Sequence, residues 1–338
     1  MRILRVVILR LLVLVPTLLG LVTIMFFITY YLPADPVAVV AGRLATPEQK
    51  AKIRQFYGFD KPIHIQYIHY IKRIVLKMDF GRSLYTQREI GKDIIGRLPA
   101  TLELALLSLS TGILLGIIVG VYSAIKRNSL LDFFARGITI AAISLASFWI
   151  AIELQLVFGY KLGILPLLGR INRDLQPPHH ITGFYLLDSI LTWNVETFKS
   201  SLVHLILPAI PLVLVSMGTI ARFTRAGVLG ILGSGYVEYG RAMGLSPRLL
   251  VWKYVLKNAL VGTIAQIGLL FGYVLASTFV VEKIFMWPGI GGYALNSILY
   301  LDYKAVFGVS LWAGVVYSIG GLLADILLIV VDPREITK

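Results

Sequence analysis

Residues 100–125 read ATLELALLSLSTGILLGIIVGVYSAI, with Glu103 as the one charged side chain. A helix crosses the hydrocarbon core with about 20 largely apolar residues, so this stretch is long enough to span a membrane. Five further stretches meet the same test: 11–32, 133–158, 202–221, 259–281 and 305–331. They predict an all-α integral membrane protein with six transmembrane helices. The first stretch follows Arg2, Arg5 and Arg10, as a signal peptide would. Its apolar run exceeds the roughly 7–15 residues of a signal core and no small-x-small cleavage site follows it, so it reads as an uncleaved first span.

The composition agrees. Of 338 residues, 57% are apolar and 15% charged, and the mean hydropathy is +0.80. A soluble domain runs nearer 45–50% apolar and about 25% charged, and a single core stops growing near roughly 250–300 residues. The 32 basic and 18 acidic residues leave +14. In a soluble domain that excess points to nucleic acid; here it has membrane edges to occupy. With no cysteine, disulfides, thiol catalysis, Fe–S clusters and cysteine metal sites are excluded together.

The basic residues also orient the spans. With the N-terminus inside, the segments 1–10, 126–132, 222–258 and 332–338 carry 13 Lys and Arg in 61 positions, and the outer loops 159–201 and 282–304 carry six in 66. The stretch 33–99 holds twelve, but it exceeds the roughly 60-residue loop length that decides topology. Both termini are therefore predicted on the cytoplasmic side.

Gly112, Gly116 and Gly120 share one helix face, and Gly268 and Gly272 repeat the spacing. Small residues four apart let helix backbones approach closely in lipid, either within the chain or against a partner. Only Glu103, Arg136, Glu153 and Asp325 bring charge into the predicted spans. Intramembrane ionisable groups are functional candidates, yet so few argue against a proton-coupled carrier. A relay role for Glu153 competes with a structural hydrogen bond.

Between the first two spans, Thr46-Pro47-Glu48-Gln49 has the form of a capping box opening a helix. Residues 62–78 then space Ile63, Tyr67, Ile71, Ile74, Val75 and Met78 as an amphipathic helix. Lys72, Arg73 and Lys77 keep it from spanning, so it lies on the outer surface, caps the bundle or docks an external partner. The loop 159–201 carries His179 and His180 without a third ligand at a familiar spacing. No metal is predicted.

The inner stretch 222–258 reads RFTRAGVLGILGSGYVEYGRAMGLSPRLLVWKYVLKN. Residues 236–243 suit a short helix ending at Gly244. Ser246 then caps a second helix with Pro247 at its first position. The pair forms a compact knob armed with Arg241, Arg248, Lys253 and Lys257. Such a knob suits anionic headgroups or a groove in a cytoplasmic protein.

These segments, in order, resemble the B-type permease subunit of the oligopeptide and dipeptide family of ABC importers. Leu32-Pro33-Ala34-Asp35-Pro36 is similar to the family's LPGDP, Tyr57-Gly58-Phe59-Asp60-Lys61-Pro62 to LGLDxP, and Asp79-Phe80-Gly81-Arg82-Ser83-Leu84 to DLGxS. Arg97-Leu98-Pro99-Ala100-Thr101-Leu102-Glu103 and His204-Leu205-Ile206-Leu207-Pro208-Ala209 open spans in the family's manner. Phe285-Met286-Trp287-Pro288-Gly289-Ile290-Gly291 resembles FxWPGxG, and Asp332-Pro333-Arg334 the DPR ending. The knob resembles the E-A-A-x-x-x-G coupling loop: Glu238 and Gly244 match, Tyr239 and Gly240 replace the alanines, and Arg241, Ala242, Leu245, Ser246 and Arg248 complete it.

The resemblance implies a type I ABC importer permease fold in the cytoplasmic (inner) cell membrane. It implies an N-terminal region, residues 1–95, a transmembrane domain 96–332 containing the coupling loop 222–258, and a cytoplasmic tail 333–338. It also implies partners: a second, homologous permease, two cytoplasmic ATPase subunits that dock on the knob, and an external solute-binding protein. The chain has no G-x-x-x-x-G-K-[ST] loop to hold ATP phosphates, so ATP and Mg belong to the ATPase subunits, and this chain has no catalytic residue and no cofactor. The implied cargo is a di- or oligopeptide, with oligosaccharides and nickel chelates as alternatives. A stand-alone secondary carrier would show internal repeats and broken, charged helices. An intramembrane protease would show H-E-x-x-H or G-x-S-x-G, and neither pattern occurs.

Overall fold

A computed structural model describes residues 2–31, 46–57, 62–77 and 79–331. The helices are α1 (Arg2–Tyr31), α2 (Pro47–Tyr57), α3 (Ile63–Lys77), α4 (Ile90–Ile125), α5 (Leu130–Ser144) and α6 (Ser147–Lys161). Then follow α7 (Tyr185–Leu191), α8 (Val195–Leu232), α9 (Gly235–Ala242), α10 (Pro247–Ile284), α11 (Ile290–Leu299) and α12 (Tyr303–Val331). No strand occurs among the described residues, only an isolated bridge between Arg82 and Glu89. The fold is all-α. Stretches of α1 and α12, and all of α4, α8 and α10, are long and apolar enough to cross a membrane. The α5–α6 pair makes a sixth span if it is taken as one.

The third predicted span, 133–158, is not one straight helix. α5 and α6 meet at a 102° bend, because Leu145 and Ala146 both take extended backbone angles. Neither proline nor glycine stands there, so the apolar pattern runs through the break without marking it. The fourth and fifth spans are longer than 202–221 and 259–281. Their helices continue into polar flanks that hydropathy alone does not count.

The chain divides into two compact units. One comprises residues 1–8, 96–295 and 316–338. Its central helix is α8: 61% of its most apolar window is buried, against 11% for α12. Gly112, Gly116 and Gly120 explain how α4 reaches it. A Cβ at Gly112 would meet Ser216 Cβ at 2.5 Å, at Gly116 Ile220 Cβ at 2.7 Å, and at Gly120 Thr224 Cβ at 2.7 Å. The glycine stripe thus faces a matching i, i+4 row on α8, with almost no side-chain layer between the backbones. Gly268 and Gly272 stand against Ala324 and Tyr317 of α12. Both stripes pack within the chain.

The second unit comprises residues 9–95 and 296–315. Thr46 and Gln49 form the reciprocal capping box at the start of α2 (Thr46 N to Gln49 Oε1 3.0 Å, Gln49 N to Thr46 Oγ1 3.3 Å). α3 buries Ile74 with Val22 of α1 and Leu311 of α12, and Tyr67 shares a 2.6 Å hydrogen bond with Thr23. Its apolar face is therefore turned onto neighbouring helices. The Asp79–Ser83 turn is clasped by Asp302, which accepts from Ser83 Oγ (2.6 Å), Leu84 N (2.6 Å) and Tyr85 N (3.2 Å). The motifs 32–36 and 332–334, and residues 58–61, lie outside the described residues.

Candidate functional site

Two ends of the first unit concentrate the predicted residues. At one end α8 stops at Leu232, and α9 leads through Met243 and Gly244 into α10. Gly244 has φ +77°, a left-handed conformation that glycine adopts without steric cost. Ser246 caps the start of α10, accepting from Leu249 N at 3.4 Å, and Pro247 holds the first helical position. Residues 250–255 wind as a π-type turn before α10 becomes regular.

One face of this turn is a small core: Val237, Leu250, Val251, Val255 and Ala259 pack with Val121, Ala124 and Val228. Gly240 is buried against it, and a Cβ there would meet Leu250 Cδ1 at 2.7 Å. Glycine thus lets α9 settle on α10 where the importer pattern has alanine. The other face is open. Glu238, Tyr239, Arg241, Ala242, Gly244, Ser246 and Arg248 are exposed, with Leu245 half-buried. Tyr239 is 67% and Met243 66% exposed, and Trp252 and Tyr254 extend the same aromatic and cationic surface.

Just inside this end sits an ion cluster that hydropathy missed. Asp132, fully buried, accepts from Arg225 Nε (2.9 Å) and Nη2 (3.0 Å), Asn128 N (3.1 Å) and Ser123 Oγ. Arg136 approaches the same carboxylate at 3.5 Å. Asp132 falls one residue before the third predicted span, where a charge reads as belonging to a loop.

The opposite end is closed by polar bonds. Glu103, buried, accepts from Arg170 Nε (3.0 Å) and Nη2 and from Leu186 N (2.8 Å). The Arg170 guanidinium lies 3.7 Å from the centroid of the Tyr185 ring. Trp287 donates from Nε1 to Ala100 O (2.9 Å). Thr101 Oγ1 donates to Glu282 (2.6 Å) and accepts from Ile290 N (2.8 Å). Gly292 N donates to Glu282 at 3.0 Å, and a Cβ at Gly289 or Gly291 would collide with the Glu282 carboxylate. The Trp287-Pro288-Gly289-Ile290-Gly291 turn is therefore folded over a buried acid. Glu282 escapes a hydropathy reading because it follows the last residue of the predicted fifth span; the close-set glycines beside it are the available signal. Asp188 organises the adjoining loop. Burial pushes its carboxyl up, but the Thr182 hydroxyl and the N–H groups of Thr182, Gly183 and Ile181 outweigh that and hold it below the ordinary carboxylate range.

Glu153 is half-buried, and among the described residues no cation lies within ion-pair distance of it. His179 and His180 are exposed. No group of three potential metal ligands occurs among the described residues.

The family described as binding-protein-dependent transport system inner membrane component matches residues 112–337, and its N-terminal counterpart matches residues 3–105. The chain belongs to this family. It is 38% identical to a probable D,D-dipeptide transport system permease of Escherichia coli, over 93% of this chain and 92% of that protein. It is 35% identical to a dipeptide transport system permease of Alkalihalophilus pseudofirmus, over 96% and 97%. A glutathione transport system permease of Salmonella typhimurium is 32% identical, over 96% of each. Among solved structures, an inward-facing MetNI methionine ABC transporter chain superposes with a TM-score of 0.52 at 18% identity, covering 69% of this chain and 93% of that one. The fold is thus that of a type I ABC importer permease, and the protein is a multi-pass component of the inner cell membrane.

Proposed function

We propose that this chain forms half of the translocation path of an ATP-driven importer for di- or oligopeptides. A second, homologous permease supplies the other half, two cytoplasmic ATPase subunits dock beneath, and an external binding protein delivers the cargo. The observation that carries this reading is the half-open turn of α9 and early α10: its inner face is packed on its own core, and its outer face offers aromatic and basic side chains with no covering element among the described residues. A helix-in-groove contact needs such a surface. Glu238, Tyr239, Arg241, Ala242, Leu245, Ser246 and Arg248 are the docking residues, with Gly240 and Gly244 setting the turn's shape.

The excess of Lys and Arg on this side supports a cytoplasmic position for the turn and both termini. The bundle 96–332 carries the path, residues 1–95 form the N-terminal region, and 333–338 is a tail. ATP and Mg are used in the partner subunits. ATP-driven closure of those subunits draws the docked turns together and shifts a two-state bundle between inward- and outward-facing forms. The smooth contacts of Gly112, Gly116, Gly120, Gly268 and Gly272 serve as its pivots. Peptide cargo is supported by the dipeptide and glutathione permeases that the chain resembles.

The test is uptake of labelled dipeptides by cells that carry the whole importer, with and without this chain. Uptake that depends on the chain and on ATP supports the reading. Uptake that continues without the ATPase subunits overturns it in favour of a carrier working alone.

A further inference from the structure

A groove of about 370 Å³ opens among α4, α5 and α8, at the end of the bundle that carries the exposed turn. Val119, Ile140 and Ile143 give it apolar walls, and Arg136, Arg222 and Arg225 stand around it. No carboxylate lines it. Asp132 lies beside it and accepts from Ser123, Asn128 and Arg225, with Arg136 Nε at 3.5 Å. Three guanidinium groups against one carboxylate leave two positive charges beside an apolar slot. Arg222 has no acidic partner among the described residues; its guanidinium lies 5.5 Å from the Phe223 ring centroid. Cations held at the edge of a bilayer call for an anionic counterpart.

The ligand that combines a compact anion with a long apolar body, and that surrounds this surface in the membrane, is an anionic glycerophospholipid. Basic pockets between spanning helices bind such headgroups. We infer that this groove is a site for an anionic phospholipid, its phosphate held by Arg136 and Arg222 and an acyl chain lying along Ile140 and Ile143. Arg225 contributes charge but is committed to Asp132, so it serves as scaffold. Arg136 lies six residues into α5, about 9 Å along the helix from its start at 1.5 Å per residue. The exposed Phe133, Phe134 and Ile138 continue the apolar surface beside it.

The test is native mass spectrometry of the assembled importer, purified with the full chain and titrated with phosphatidylglycerol or with phosphatidylcholine of the same acyl length. The wild type should retain phosphatidylglycerol in preference. The Arg136→Gln/Arg222→Gln double variant should bind it roughly 25-fold more weakly, about fivefold for each arginine, with phosphatidylcholine binding unchanged. Ile140→Trp fills the slot while leaving every arginine in place, and it should lose phosphatidylglycerol as well, so a misfolded double variant would not decide the matter. Equal binding of the two lipids by the wild type overturns the inference, as does full retention by Ile140→Trp. Displacement of the lipid by a dipeptide or by glycerol phosphate at matched concentration also overturns it, assigning the groove to cargo or to a free anion.

Discussion

The two ends of the central unit handle polarity in opposite ways. At the end away from the α9–α10 turn Arg170 pairs with Glu103, Thr101 donates to Glu282, Asp188 accepts from the 181–183 loop and Trp287 donates to Ala100 O, and the turn over Glu282 is shut by glycines too close to admit a side chain. At the other end the α9–α10 turn satisfies its backbone with a serine cap and a left-handed glycine, then leaves tyrosines, a tryptophan and arginines exposed. A surface that bonds to itself holds a fold in one shape. A surface that leaves its contacts open is shaped for a second molecule. The contrast separates residues that hold the permease together from residues left open, which the proposed function assigns to ATPase docking.

Mutation can break that contrast, and the self-bonded end should show the largest effect. Arg170→Leu strands the buried Glu103 carboxylate; removing one partner of a buried ion pair costs about 3–5 kcal/mol. Yield of folded protein and melting temperature in detergent should fall steeply, and an unchanged melting temperature would remove Glu103 and Arg170 from the stabilising set. Thr101→Val takes away the donor to Glu282 and the acceptor for Ile290 N. It should cost about 1–3 kcal/mol, read by the same melting experiment.

Smaller effects belong to the caps and loops. Ser246→Ala removes the cap of α10 and should cost about 1 kcal/mol, seen as faster hydrogen exchange at the amides of Leu249 and Leu250. The loop at 181–183 supplies a pH arm. Because the folded Asp188 carboxyl titrates below its ordinary value, its contribution is complete above that value and is lost as pH falls through the lower, folded one. Protection factors at Thr182 and Gly183, taken relative to the intrinsic exchange rate at each pH, should therefore fall only in acid. A loss of protection on the alkaline side would contradict the carboxylate's role.

The spans, the short helix before Gly244, the Ser246 cap and the capping box at Thr46 were legible because each rests on local chemistry: hydropathy, a hydroxyl at the right offset, a glycine at a turn. The glycine stripes were legible as close contacts, but their partners on α8 and α12 were not, since spacing shows a face without saying what meets it. The break at Leu145 left no trace, because two apolar residues in extended conformation read like any helical pair. Asp132 and Glu282 were missed for one reason. Each stands a single residue outside a predicted span, where a charge looks solvated, and only packing reveals that it is buried.

The sharpest contrast is drawn by Tyr239→Ala/Arg241→Glu, two changes on the exposed face of α9. Surface changes of this kind move stability by no more than about 0.5 kcal/mol, so the chain should insert and melt like the wild type. The decisive measurement is co-purification of the ATPase subunits with this variant, together with cargo-stimulated ATP hydrolysis. If the α9–α10 turn is the docking surface, the subunits are lost, or hydrolysis no longer responds to cargo, while the melting temperature stays put. Normal assembly with normally stimulated hydrolysis would contradict that assignment and move the coupling contact elsewhere on the chain.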